Sequence, residues 1–164
     1  ALVVDDSLRR LYHREAEETL TYSLPDNSQN CLHNTALGKA FLSCLPEDEM
    51  QDRIDKLVLT VKTEKTITTK KRLLSELKAA RQRGYATSDE EYLTGLIAIG
   101  APLIDPIGKS AVGAVSFDFS VLQHRADEIV VRYAGQIVQT AKLLSELLPA
   151  QRNGRFIAGL TIAD

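Results

Sequence analysis

Two short polar segments of this chain carry the residue types that hold a small anion. His33-Asn34-Thr35-Ala36 sets an imidazole, an amide and a hydroxyl just before an apolar helical pattern. Ser88-Asp89-Glu90-Glu91 has a serine three residues before a glutamate, the spacing of a capping box, so its plain reading is the start of a helical turn. Free backbone N–H groups at such a start also attract anions, and a nearby serine can complete the site. Both segments can face one small acid. Further on, Ser116 and Asp118 alternate on one face of an apolar strand pattern. A carboxylate there is a candidate acid, but a lone one more often anchors a hydrogen-bond network or a ligand hydroxyl. Gly100 and Gly113 sit inside neighbouring strand patterns, where glycine marks either a pocket floor or the close approach of another backbone.

Other chemistries find less support. No nucleophile with a base, no apolar pair of carboxylates and no glycine-rich phosphate loop is recognisable. Leu37-Gly38-Lys39-Ala40 lacks the first glycine and the hydroxyl residue of a phosphate loop and falls within a helix. Cys31 and His33 lie two apart, but without a second close pair they make a weak metal site. Lys39 and Lys109 read as solvated lysines, His13 as a helix-surface residue and His124 as the start of the last helix. No cofactor and no metal are expected.

With 164 residues, a formal net charge of −2, 26% charged and 44% apolar residues, the chain fits one globular domain with a real core. No basic stripe suggests direct contact with nucleic acid. Two widely spaced cysteines suit reduced thiols, hence a cytoplasmic protein. No apolar run approaches the roughly 20 residues that cross a bilayer.

The elements that position these groups follow from periodicity. Ser7–Thr19 predicts a helix on Leu8, Leu11 and Tyr12, with Asp5, Asp6 and Ser7 as caps. Glu18–Leu24 predicts a short strand, closed by a turn at Pro25, Asp26, Asn27 and Ser28. Thr35–Leu45 predicts a helix capped by Asn34 or Thr35 and halted at Pro46, which opens the next helix with Glu47, Asp48 and Glu49 at the positive end of its dipole. A long helix begins at Thr68 or Thr69, buries Leu73, Leu74, Leu77 and Ala80, and ends on Gly84. Leu96–Ile104 and Ser110–Phe119 predict an antiparallel hairpin through Asp105, Pro106, Ile107 and Gly108. His124–Leu148 predicts one long helix on Ile129, Tyr133, Ile137, Ala141 and Leu144. Phe156–Ile162 can be a strand.

HNTALGKAFLS (33–43), RGYATSDEEYLTG (83–95) and GAPLID with VGAVSF together resemble the effector-binding half of the IclR family of bacterial transcription regulators. The resemblance covers roughly His33 to Leu148. It implies an α+β, GAF-like domain: a curved antiparallel sheet flanked by helices, with a pocket for a small metabolite. It also implies an oligomer, dimer or tetramer, and an N-terminal winged helix-turn-helix domain, absent from this chain, that binds operator DNA. Family roles carried over implicate His33, Asn34, Thr35, Ala36, Ser88, Asp89, Ala98, Ser116 and Asp118 in effector binding. Ser88 stands where an acidic residue is usual. Asp118 stands where binders of small keto acids carry serine; an aspartate repels a carboxylate and welcomes hydroxyls or an amine, so hydroxylated or aromatic acids and sugar-like metabolites are the candidate effectors. Between Leu24 and His33 the family normally has a second strand and a covering loop, and here fewer than ten residues intervene.

Two other readings differ in what they require. A small enzyme would use Asp118 and His33 as acid and base and turn over the bound metabolite. A purely structural dimerisation module would fill the pocket with Phe117 and Phe119.

Overall fold

The computed structural model describes residues 1–4, 7–14, 27–28, 31–148, 151–152 and 155–156. Strands β1 (Leu2–Val4), β2 (Ser7–Arg9) and β3 (Asn27–Ser28) come first, followed by helices α1 (Ala36–Ser43), α2 (Glu47–Lys56) and α3 (Lys70–Arg83). Strands β4 (Ala86–Asp89), β5 (Leu96–Ile104) and β6 (Ala111–Ser120) then lead into α4 (Ala126–Glu146) and a small hairpin of β7 (Gln151–Arg152) and β8 (Arg155–Phe156). The main sheet is antiparallel in the order β3-β2-β1-β6-β5-β4. This is the expected α+β architecture.

Side chains alternate across a strand, so β5 serves two cores at once. Ile97, Ile99, Ala101 and Leu103 pack with Ile129, Ile137 and Ala141 of α4. The other face belongs to the earlier helices, whose core joins Leu32, Phe41, Leu42, Met50, Ile54, Leu73 and Leu77. A patch of alanines, Ala40, Ala80, Ala86 and Ala114, brings α1, α3 and the sheet together.

Capping explains where the helices begin and end. The Thr35 hydroxyl accepts from Gly38 N at 3.0 Å and donates to Cys31 O at 2.7 Å. Thr69 caps α3, and Gly84 closes it in the left-handed conformation at φ 82°. Arg81 Nε donates to Ser43 O at 2.6 Å, satisfying a carbonyl that the end of α1 leaves open. In the hairpin turn, Lys109 N donates to Asp105 O and Ile107 N to Asp105 Oδ1.

Several expectations need correction. Over its described residues, 7–14, the expected N-terminal helix does not form: Ser7–Arg9 is a strand, because β1 offers it a hydrogen-bonding edge and only Leu8 is buried, while Leu11 and Tyr12 stand exposed. His13 therefore lies on no helix. Asn27 and Ser28 pair with Arg9 and Leu8 as a strand rather than making a turn. The expected strand Glu18–Leu24, with Pro25 and Asp26, lies outside the described residues, as do residues 157–162. Leu144 is exposed rather than part of the α4 core face. Ser88 is inside β4, so no helix starts there.

The two strand glycines do not floor a pocket. A Cβ on Gly100 would meet the Ala36 backbone at 3.0 Å, and one on Gly113 would meet Ala1 O at 2.2 Å. Both admit a neighbouring backbone. Gly38 is tighter still, since its Cβ would lie 2.3 Å from Leu32 Cα. Helix propensity alone favours alanine over glycine by about 1 kcal/mol. The steric conflict reverses that sign: Gly38→Ala is expected to destabilise the domain by about 1–3 kcal/mol, seen as a lower urea midpoint with an unchanged slope.

Candidate ligand-binding site

Strand register assembles a polar row on the α1 side of the sheet. Ser88 of β4 lies opposite Ala98 of β5, and Ala98 lies opposite Asp118 of β6. In the next row of this face Gly100 lies opposite Ser116. Ala98 is the smallest side chain that still seals the sheet, and it leaves room between Ser88 and Asp118.

The start of α1 overhangs this row. Thr35, Ala36, Leu37, Ser88, Tyr92, Leu96, Ala98, Ser116 and Asp118 line a recess with about 300 Å³ of empty space. Only about 30 Å³ of it admits the centre of a water molecule, so a ligand of more than a few atoms needs the walls to part. A larger concavity, with about 760 Å³ of empty space, lies elsewhere, beside the first turns of α4 at His124, Asp127, Val131 and Arg132.

The recess is lined mostly by apolar atoms, with polar groups confined to its two ends. At one end, the first amides of α1 point back out of the helix, as those of any helix do, carrying the positive end of its dipole. At the other, Ser116 Oγ donates to Asp118 Oδ1 at 2.9 Å. Solvent reaches Asp118, but protein crowds its remaining sides, and that loss of hydration raises its pKa above the ordinary carboxylate range. The Ser116 hydroxyl and the positive charges of His13 and Arg10 pull the other way without winning. Ser88 Oγ donates to Asn34 O at 2.8 Å, tying β4 to the segment before α1.

The family model described as bacterial transcriptional regulator IclR, C-terminal, matches residues 3–146 of this sequence. The chain belongs to this family. Among its relatives, the HTH-type transcriptional repressor AllR of Klebsiella pneumoniae is 33% identical over 136 residues, 82% of this chain and 49% of its own length. The solved IclR of Thermotoga maritima superposes with a TM-score of 0.80 at 28% identity, covering 90% of this chain and 59% of that one. A double mutant of the PobR inducer-binding domain from Acinetobacter, in complex with 3-hydroxybenzoic acid, gives 0.72 at 25% identity, covering 89% and 86%. The chain spans less than half the length of the curated relatives it matches.

In this IclR-type domain the residues singled out from the sequence separate into groups. Thr35, Ala36, Ser88, Ala98, Ser116 and Asp118 share the recess. His33 and Asn34 are fully buried outside its lining. His33 Nε2 lies 3.1 Å from Thr60 O, which makes that nitrogen the donor, and burial lowers its pKa. His33 is thus a neutral core imidazole, and Asp118 and His33 are not brought together as an acid and base. Among the described residues, His33 Nδ1 and both side-chain amide atoms of Asn34 have no hydrogen-bond partner. Asp89 points away and pairs with Lys65 at 3.2 Å. Phe117 and Phe119 face α4, where Phe117 meets Tyr133 edge-on and Phe119 lies tilted against it, so they do not fill the recess.

The sequence reading missed the corner after β4. Glu90 sits at φ 54°, in the left-handed region. It is held there because Gly95 N donates to its Oε2, Lys65 Nζ reaches its Oε1 and Thr63 Oγ1 donates to its carbonyl. Thr66 Oγ1 donates to Glu91 O at 2.7 Å. These contacts fix the turn that delivers Tyr92 and Leu96 to the recess wall.

Lys39 is not solvated: it is 1% exposed, and its Nζ donates to Glu91 Oε1 at 2.6 Å. Its four-residue spacing from Thr35 on α1 is the signal that puts it on the inward face. Desolvation keeps the Glu91 pKa above the ordinary range even though Lys39 pulls it down. Removing one partner strands the other, so Lys39→Met is expected to cost about 3–5 kcal/mol in denaturant titration. Adding Glu91→Leu should recover most of that loss.

Asp118 carries a pH signature. Its folded-state pKa lies above the unfolded one, so stability is lost as pH rises from the ordinary carboxylate range through the raised value. Asp118→Asn is therefore expected to unfold at a higher temperature than the parent near neutral pH, with the two converging in acid. A variant with the same midpoint as the parent at every pH would show that Asp118 is not desolvated.

Proposed function

We propose that this domain senses a small hydroxylated acid in the recess between α1 and the sheet. The carboxylate of the ligand lies on the first amides of α1, and a hydroxyl or amine is held by Ser116 and Asp118. One observation carries this reading: a helix start and a carboxylate of raised pKa face each other across one narrow recess. A ligand with charge at one end and hydrogen-bond donors at the other satisfies both. The related double mutant of the PobR inducer-binding domain is in complex with 3-hydroxybenzoic acid, a molecule of the same two-ended character.

The proposed role extends to the longer protein. Effector binding in a cytoplasmic oligomer biases how the subunits present N-terminal DNA-binding domains to an operator. Such a bias requires a ligand that binds one arrangement better than the other. The narrowness of the recess supplies a basis for that difference, since a conformation with the walls parted admits ligand and the closed one does not.

Thermal unfolding against a panel of small acids, hydroxy acids and sugars tests the reading. At a hundredfold excess over its dissociation constant a ligand adds about 2.7 kcal/mol, a midpoint rise of roughly 5–10 °C for a domain of this size. Hydroxy acids are expected to score, to be recovered chemically unchanged, and to lose affinity in calorimetry with Ser116→Ala and Asp118→Ala combined. A hit that the double variant binds equally well would move the site elsewhere, and conversion of the ligand would make the domain an enzyme.

A further inference from the structure

α4 turns Ile129, Ile137 and Ala141 into the core, and the stripe on its opposite side is exposed at Glu128, Val131, Gly135, Val138 and Lys142. Steps of three and four residues place these five on one line along the helix. Val131 is 88% exposed and Val138 38%, an apolar pair that burial against a partner would favour. Gly135 lies between them, beside the midpoint of the helix. Glycine in a helix interior is destabilising relative to alanine. Gly38, Gly100 and Gly113 each stand against a backbone of this chain, whereas a Cβ on Gly135 would meet nothing within 4 Å. No contact among the described residues requires glycine there, whereas close approach of a second helix would.

The charges around Gly135 are arranged with opposite signs at equal distances. Glu128 lies seven positions before it and Lys142 seven after. Two copies of α4 related by a two-fold axis through Gly135 run antiparallel. Each copy then sets Val131 beside Val138 of the partner subunit, and Glu128 beside Lys142 of the partner subunit. A parallel arrangement would instead oppose glutamate to glutamate and lysine to lysine, so the pattern selects the antiparallel one.

We propose that the α4 stripe centred on Gly135 is a self-complementary interface through which two copies of this chain associate. The proposal rests on the reading of this domain as an oligomerising one and names its contact surface. One helix crossing buries less than the roughly 800 Å² per partner of a standard interface. Leu143, exposed on the same helix, and Leu147, exposed just past its end, add apolar surface beyond the crossing.

Sedimentation equilibrium on the 164-residue chain, with circular dichroism to verify folding, tests the assignment. Val131→Glu and Lys142→Glu are each expected to weaken association by at least about tenfold, as for a buried or like-charge mismatch at a two-fold. Combining Lys142→Glu with Glu128→Lys restores opposite charges at the same distance and is expected to recover association. Gly135→Leu, which favours the helix but blocks close approach, is expected to dissociate the complex while leaving the fold intact. Association of the parent that none of the variants changes would overturn the α4 interface and leave the oligomeric reading standing. A parent that is monomeric at all concentrations would overturn both. Loss with Lys142→Glu that the double reversal does not repair would overturn the antiparallel register.

Discussion

The separation between α1 and the sheet governs the rest of this structure. Gly100 lets the Ala36 backbone come against β5, Gly38 lets Leu32 come against α1, and the alanines at 40, 80, 86 and 114 keep the layer thin. A helix start can act on a ligand only at short range, because its partial charge falls off within the first turn. Had the residues at 36, 98 or 100 been larger, α1 would ride higher and the row Ser88–Ala98–Asp118 would lie beyond reach of its amides.

Within that thin layer the polar groups divide into those that hold and those that are held in an unfavourable state. Thr63, Lys65 and Thr66 fasten the turn at Glu90 and Glu91 through a carbonyl, two carboxylates and a second carbonyl. The Lys39–Glu91 pair bolts the same turn to α1 from inside. Asp118 stands on the other side of the recess, open to solvent on one side, and among the described residues its side-chain hydrogen-bond partner is Ser116. Poorly satisfied polar groups beside well-braced ones are the usual mark of a site shaped for something other than the fold itself.

Much of this was legible from residue types. Thr69, Gly84 and the Leu96–Ile104 strand carry local signals strong enough to stand alone, and the alternation of Ser116 with Asp118 placed both on one face. The failures are those where a distant element overrides the local pattern. Leu8, Leu11 and Tyr12 repeat at helical spacing, yet the free edge of β1 captures Ser7–Arg9 as a strand. Ser88 and Glu91 have capping-box spacing, yet Ser88 pairs with Ala98 and spends its hydroxyl on Asn34 O. Lys39 looked solvated because its partner, Glu91, lies 52 residues away in sequence. Membership of the IclR family came from motif strings rather than periodicity, and Thr35, Ala36, Ala98, Ser116 and Asp118 came with it.

The alternation along β6 has a mechanical meaning. Ser116 and Asp118 face the recess, and Phe117 and Phe119, one residue away, press their rings on Tyr133 of α4. No intervening layer separates the two faces, so β6 has the recess on one side and α4 on the other. A twist of this strand that widens the recess must also tilt the aromatic stack beneath the helix. News of an occupied recess has one strand's thickness to travel before it reaches the outer surface of the domain.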